Sequence, residues 1–217
     1  MLSLPRPRRH NIPGIPQHVT QRGNNRQACL FKGDDRQACL ELLHEAALRR
    51  VCSVHAYVLM TNHVHLLLTP DTAAGVSRLM QDIGTLFERR FKSSLVDSKA
   101  HCLACYRYIE LNPVRAAMVI SPEDYRWSSI RTNALGATDP LITPHEQWLE
   151  LGKNDEIRRK AYRALFDGNV PCTQVEKIRY TNRKVLPLGS KSFLAEIESQ
   201  LKRKLGSGKV GRPRKEI

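Results

Sequence analysis

Residues 51–60 and 63–68 are two β-rich apolar runs separated only by Thr61 and Asn62. A link of two residues between strands closes an antiparallel hairpin, because a parallel return needs a crossover of a dozen or more residues. The chain is therefore committed to an antiparallel sheet, and its neighbouring segments must pack on that hairpin. Upstream, residues 17–22 (QHVTQR) alternate as a strand and run into Arg22-Gly23-Asn24-Asn25-Arg26, a segment of turn formers. From Asp34 to Arg50 the apolar residues Ala38, Leu42, Leu43 and Ala46 recur at helical spacing. Asp34 and Asp35 open that helix and Arg49 and Arg50 close it, each sign suiting the helix dipole. Downstream, a second helix runs from about Thr72 into a face of Leu79, Met80 and Ile83. Residues 87–96 then alternate as a fourth strand, with Phe91, Ser93 and Leu95 against a basic face of Arg90, Lys92 and Ser94.

The order β-α-β-β-α-β predicts an α+β fold of the ferredoxin-like kind, with two helices packed on one face of a four-stranded antiparallel sheet. That scaffold hosts many unrelated activities, so it decides nothing about function. A third helix is expected from about Ser98 to Glu110, ending near Asn112-Pro113, because the residue before a proline is driven out of helical geometry. Segments 144–151, 155–166 and 192–205 read as helical, and Gly206-Ser207-Gly208-Lys209 opens a flexible basic tail. The expected organisation is a core domain over 1–135, a mainly helical C-terminal extension over 136–206 and the tail over 207–217.

Charge narrows the partner. Among 217 residues, 35 Lys and Arg face 21 Asp and Glu, a formal net charge of +14. A surface this basic points to a polyanion, and nucleic acid is favoured over a membrane surface. No apolar run approaches the ~20 residues of a transmembrane helix. The opening MLSLPRPRRH is basic and broken by prolines, unlike a secretory leader. The six cysteines sit mostly inside apolar periodic segments, as buried hydrophobes in a reducing cytoplasm do. Cys102 and Cys105 form a CxxC, but no second pair stands at metal-finger spacing.

Two residues apart on a strand share a face, so His63 and His65 project both imidazoles to one side. Two convergent imidazoles are half a metal site, and they leave the identity of the ion open. On the third helix Tyr108 and Asn112 share a face, while Glu110 points elsewhere. A tyrosine attacks a phosphodiester when a metal withdraws charge from the phosphate, and it stores the bond energy as a phosphotyrosine. From spacing alone, Tyr106 competes with Tyr108 for that role.

Thr61-Asn62-His63-Val64-His65-Leu66-Leu67-Leu68, after Val54-His55-Ala56-Tyr57-Val58-Leu59-Met60 and before Arg107-Tyr108-Ile109-Glu110-Leu111-Asn112-Pro113-Val114-Arg115-Ala116, resembles the HUH-type single-tyrosine transposases. More narrowly it resembles their REP-associated branch, relatives of insertion-sequence transposases that act at repeated extragenic palindromes. Residues 19–26, 90–97 and 124–129 support the likeness, which spans about residues 15–130 in order. The resemblance implies that His63 and His65 bind metal, that Asn112 adds a polar third ligand, and that Tyr108 is the nucleophile. It implies a Mg2+- or Mn2+-dependent nickase and strand transferase, acting on single-stranded DNA beside a hairpin through a 5′-phosphotyrosine and leaving a free 3′-hydroxyl. Cytoplasmic, nucleoid-associated action in a bacterium follows, with monomer set ahead of dimer.

DNA contacts are expected from Arg22, Asn24, Asn25, Arg26, Arg90, Lys92, Arg107 and Arg115 around the site. In the tail, Arg212 lies within a Gly-Arg-Pro core and Arg214 follows it, a segment suited to a narrow A·T-rich minor groove. One departure stands out: relatives carry a longer stretch between the second helix and the fourth strand, whereas here the chain is shortened near Gly84. The alternative reading is accordingly a DNA-binding or regulatory relative with impaired cutting. A third reading, a hydrolytic zinc enzyme, would need a third protein ligand such as His55.

Overall fold

The computed structural model describes residues 9–23, 30, 32–84, 90–168 and 171–205. Strands β1 (Gln17–Arg22), β2 (Cys52–Leu59), β3 (His63–Pro70) and β4 (Lys92–Leu95) form one antiparallel sheet in the order β2-β3-β1-β4. Helix α1 (Gly33–Arg50) follows β1 and α2 (Gly75–Asp82) follows β3, which completes the expected α+β arrangement. β4 is shorter than the run expected over 87–96, and residues 85–89 beside Gly84 lie outside the described residues.

Register assigns every side chain to a face. Thr20 pairs with His65, Arg22 with His63, and Lys92 with Thr20, so these residues share one side of the sheet. Their chain neighbours Val19, Val64, Leu66 and Leu68 point the other way and pack with Leu43, Ala47, Leu79 and Met80 of α1 and α2. On the first side Ala56, Val58 and Leu67 meet Cys102, Cys105, Tyr106 and Ile109 of α3 (Ser98–Glu110). Burying each large aliphatic side chain contributes about 1.5–3 kcal/mol, so both faces of the sheet are firmly held. The CxxC thiols belong to this second core: burial pushes Cys102 up to about 12 and Cys105 well above its usual value, which makes both inert fillers.

Downstream chain then covers both exposed strand edges. Beside β2, the carbonyl of Trp127 accepts from Leu59 N at 2.9 Å, Ser129 N donates to Tyr57 O at 3.1 Å and the Tyr125 hydroxyl donates to Leu59 O at 2.7 Å. Beside β4, Leu188 N donates to Leu95 O and Asp97 N to Leu188 O, both at 2.8 Å. Unpaired edge amides invite association with other chains, and these contacts remove them. Helices α4 (Asn112–Arg115), α5 (Glu146–Leu149), α6 (Asp155–Ala164), α7 (Cys172–Lys184) and α8 (Lys191–Leu201) follow among the described residues. Trp148, Tyr162, Val175 and Ile178 from this region join the apolar cluster of α3.

One polar knot sits inside that cluster. The Glu110 carboxylate accepts from Ser129 Oγ at 2.6 Å, Asn133 Nδ2 at 2.8 Å and the Tyr162 hydroxyl at 2.5 Å. It thereby ties α3 to a π-helical turn (Arg131–Leu135) and to α6. Burial drives the Glu110 pKa from 4.5 up to about 7, against the pull of its three donors. A carboxyl raised on folding stabilises the protein below pH 4.5 and loses that contribution as pH climbs to about 7. Glu110→Gln, which keeps the shape without the charge, should leave Tm unchanged near pH 4 and raise it near pH 8, by about 2–4 °C for each kcal/mol recovered. Calorimetric melts of both proteins across that range check it; parallel pH profiles would show that burial does not burden this carboxylate.

Candidate active site

His63 and His65 emerge from β3 with their ring centroids 5.0 Å apart and their planes at 74°. Each ring has its Nδ1 engaged. His63 Nδ1 lies 2.5 Å from Asn62 Oδ1, and His65 Nδ1 lies 2.9 Å from Nε2 of His18 on β1. The His18 and His65 rings are nearly coplanar, at 20°, with centroids 5.1 Å apart. That is the edge-to-edge geometry of an N–H···N bond rather than a face-to-face stack. Asn62 Oδ1 can only accept, so His63 donates Nδ1–H and keeps a lone pair on Nε2, the state a metal ligand requires; His65 has the same state in the tautomer in which it donates Nδ1–H to His18. Burial, reinforced by the Arg22 cation, holds His63 down to about 4. Burial lowers His65 well below its usual range, with His18, His63, Arg22 and Arg115 adding to the effect, so both rings are neutral at pH 7.

Tyr108 approaches from α3. Its ring stands edge-on to His18 and His65, with centroid separations of 5.5 and 5.7 Å. The Arg115 guanidinium lies over the tyrosine ring, 4.5 Å from its centroid, and donates to the Tyr108 carbonyl. Asn112 Nδ2 donates to the carbonyls of Tyr108 and Ile109 at 3.1 and 3.2 Å, which leaves Oδ1 as an acceptor. The competing Tyr106 is fully buried, with its ring against Tyr162 and its hydroxyl accepting from His145 N. A core residue of that kind has no route to a substrate.

These groups open on a cleft of about 910 Å3 lined by His63, His65, Tyr108 and Asn112. Among the described residues it also carries six cations, Arg22, Arg90, Lys92, Arg115, Arg179 and Arg183, and one acid, Glu176. Arg115 Nε and Nη1 are buried without a partner, and burial pushes its pKa down to about 10. A desolvated guanidinium with spare donors is a receptor for a phosphate. As a metal site the donor set fits a catalytic ion: two neutral imidazoles and an amide oxygen are present, and no group of three His, Cys, Asp or Glu converges among the described residues. The remaining positions would fall to phosphate and water oxygens.

Of the residues expected at a DNA-binding site, Arg22, Arg90, Lys92 and Arg115 line the cleft. Arg107 departs from the expectation. It sits on the far side of α3, donating to Gly168 O at 2.7 Å with its guanidinium 5.9 Å from the Phe166 ring, because α3 residues 107 and 108 are about 100° apart around the axis. Asn24, Asn25, Arg26, Arg212 and Arg214 lie outside the described residues. His55 is not a third ligand, since its two nitrogens are taken by Thr143 O at 2.7 Å and Thr69 Oγ1 at 2.8 Å, next to a bulge in β2. Sequence reasoning missed His18, although alternation along QHVTQR places it on the same face as Thr20 and Arg22. It also missed α7, which no spacing signal connects to β1. There Asn182 accepts from Thr20 Oγ1 at 2.7 Å and donates to His18 O at 2.8 Å, fastening the C-terminal region to the strand beneath the site.

Residues 12–110 match the family model described as transposase, IS200-like. A solved structure of a REP-associated tyrosine transposase bound to a REP hairpin has a similar fold, with a TM-score of 0.53 and 17% identity over 65% of this chain and 93% of that one. No curated protein matches the chain significantly in sequence. Among the described residues no helix is long and apolar enough to cross a membrane.

Asn182→Ala would strand a buried carbonyl and a buried hydroxyl at the floor of the cleft. Leaving such groups unpaired costs about 1–3 kcal/mol, a loss that urea unfolding at fixed m-value should resolve. An unchanged midpoint would mean that the α7 clamp contributes nothing to stability.

Proposed function

We propose that this chain, whose residues 12–110 match the IS200-like transposase family model, nicks and rejoins single-stranded DNA beside a hairpin, through a covalent 5′-phosphotyrosine on Tyr108. The observation that carries this reading is the meeting of Tyr108 with the His63–His65 pair at one end of a cationic cleft. On this reading residues 1–135 supply the chemistry and 136–206 wall the substrate, with the strand's phosphates held by the cleft cations and a guanidinium, Arg115, beside the nucleophile. Attack forms the Tyr108 O–P bond and breaks the P–O3′ bond; the phenolic proton leaves to solvent and the departing 3′-oxygen takes one up. A divalent ion, Mg2+ or Mn2+, held by His63, His65 and Asn112 Oδ1, would polarise the phosphate and stabilise charge on the departing oxygen. His18 acts on that pair through its bond to His65, setting which nitrogen of His65 keeps the lone pair. Rejoining is the same displacement run backwards by a 3′-hydroxyl.

Incubating the protein with Mn2+ and a labelled oligonucleotide bearing a palindromic hairpin and single-stranded flanks should give a denaturant-resistant protein–DNA adduct. Tyr108→Phe should give none while retaining DNA binding, and nicking that survives in Tyr108→Phe would remove the tyrosine from the mechanism. Binding without any adduct in the native protein would make it a non-cutting relative. His18→Ala should weaken Mn2+ binding by about 10- to 100-fold, read by the free-Mn2+ paramagnetic signal. Equal affinity in that variant would reduce His18 to a packing residue. Because the cleft holds six cations, binding should weaken with salt with a log–log slope of up to about −4 for a single strand.

A further inference from the structure

Helix α7 lies outside the matched family segment, yet it forms a whole wall of the cleft. Its buried residues Val175, Ile178 and Asn182 recur at helical spacing and face the core. Glu176, Arg179, Tyr180 and Arg183 recur at the same spacing on the neighbouring stripe and face the cleft. Tyr180 is the odd member of that stripe. It is a large aromatic left 50% exposed, and the Arg183 guanidinium approaches its ring at 6.0 Å. An aromatic of this size usually finds apolar cover, and among the described residues no ring packs against it.

The charges across the cleft supply the second half of the argument. Burial lowers the proton affinity of Arg115 beside the nucleophile and the Arg179 cation on α7 lowers it further; burial likewise lowers that of Lys92 on β4, with the Arg22 and Arg183 cations adding to the effect. Like charges are thus held opposite one another by a helix that Asn182 pins in place. An anionic chain running between the two walls relieves this repulsion, and an exposed aromatic between the cations is suited to a base rather than to a bare phosphate.

We propose that α7 is a second, nucleobase-stacking wall for the DNA strand, with Tyr180 stacking on an unpaired base while Arg179 and Arg183 take the flanking phosphates. The inference rests on the reading that the cleft receives single-stranded DNA. It adds to that reading a contact requiring unpaired bases, which selects single strand over duplex within one basic groove.

Tyr180 is exposed, so its replacement should not disturb folding, and thermal melts of each variant would verify this. Binding is measured by fluorescence anisotropy in a Tyr108→Phe background, with labelled oligothymidylate and with a labelled duplex of equal phosphate count. Tyr180→Ala should weaken oligothymidylate binding by roughly 5- to 100-fold and leave duplex binding within about 2-fold. Tyr180→Phe and Tyr180→Trp, which keep a flat ring, should bind like the parent. Arg179→Ala should weaken both probes and shift the salt slope by about 0.7 on single strand. If Tyr180→Ala matches the parent, or loses both probes equally, the stacking wall is wrong while an adduct at Tyr108 would leave the nickase reading standing. If the native protein neither binds oligothymidylate nor forms the adduct, both fall together.

Discussion

A slip of one residue between β1 and β3 would turn His63 and His65 into the α1–α2 core and bring Val64 and Leu66 out to the cleft. Nothing else in the molecule is as unforgiving, because the side-chain period along a strand is two and there is no intermediate placement. The register is held by Val19, Val64, Leu66 and Leu68, all essentially inaccessible to solvent. An apolar core on one face thus aims three histidines, a threonine and two cations on the other. Tyr108 reaches them because α3 packs on that same face through Cys102, Cys105 and Ile109.

Desolvation is the second constraint, and it lowers the proton affinity of His18, His63, His65, Lys92 and Arg115 alike. His63 and His65 are kept neutral with Nδ1 paired, and Arg115 is held with donors to spare. A buried charge without a partner is costly, so the folded protein carries destabilisation here that an anionic ligand would relieve. The same physics operates at Glu110, where it is answered by three internal donors instead. One buried polar cluster is thus closed upon itself and serves the fold, whereas the other is left incomplete and opens on a cleft.

The C-terminal region is part of the site rather than an appendage to it. It covers both edges of the sheet, fills the core behind α3 and presents α7 opposite the histidines. Its attachment through Asn182 joins residues more than 160 positions apart. A contact of that span leaves no trace in local periodicity.

How much could be read without coordinates follows from the range of each interaction. The sequence by itself determined the antiparallel hairpin, the β-α-β-β-α-β order and the shared face of His63 and His65, since each depends on spacing within a few residues. It also placed Tyr108 and Asn112 one helical turn apart on a shared face, with Tyr106 only a little behind on spacing alone and Tyr108 preferred through the family resemblance. The tertiary structure adds a physical ground for setting Tyr106 aside, because its burial depends on what α5 and α6 bring against the helix from far along the chain. Only it removed Arg107 and His55 from the site, by supplying Gly168, Phe166, Thr143 and Thr69 as their partners. And only it added His18 and the wall of α7, because strand register and helix docking join distant segments, and local sequence spacing does not encode that geometry.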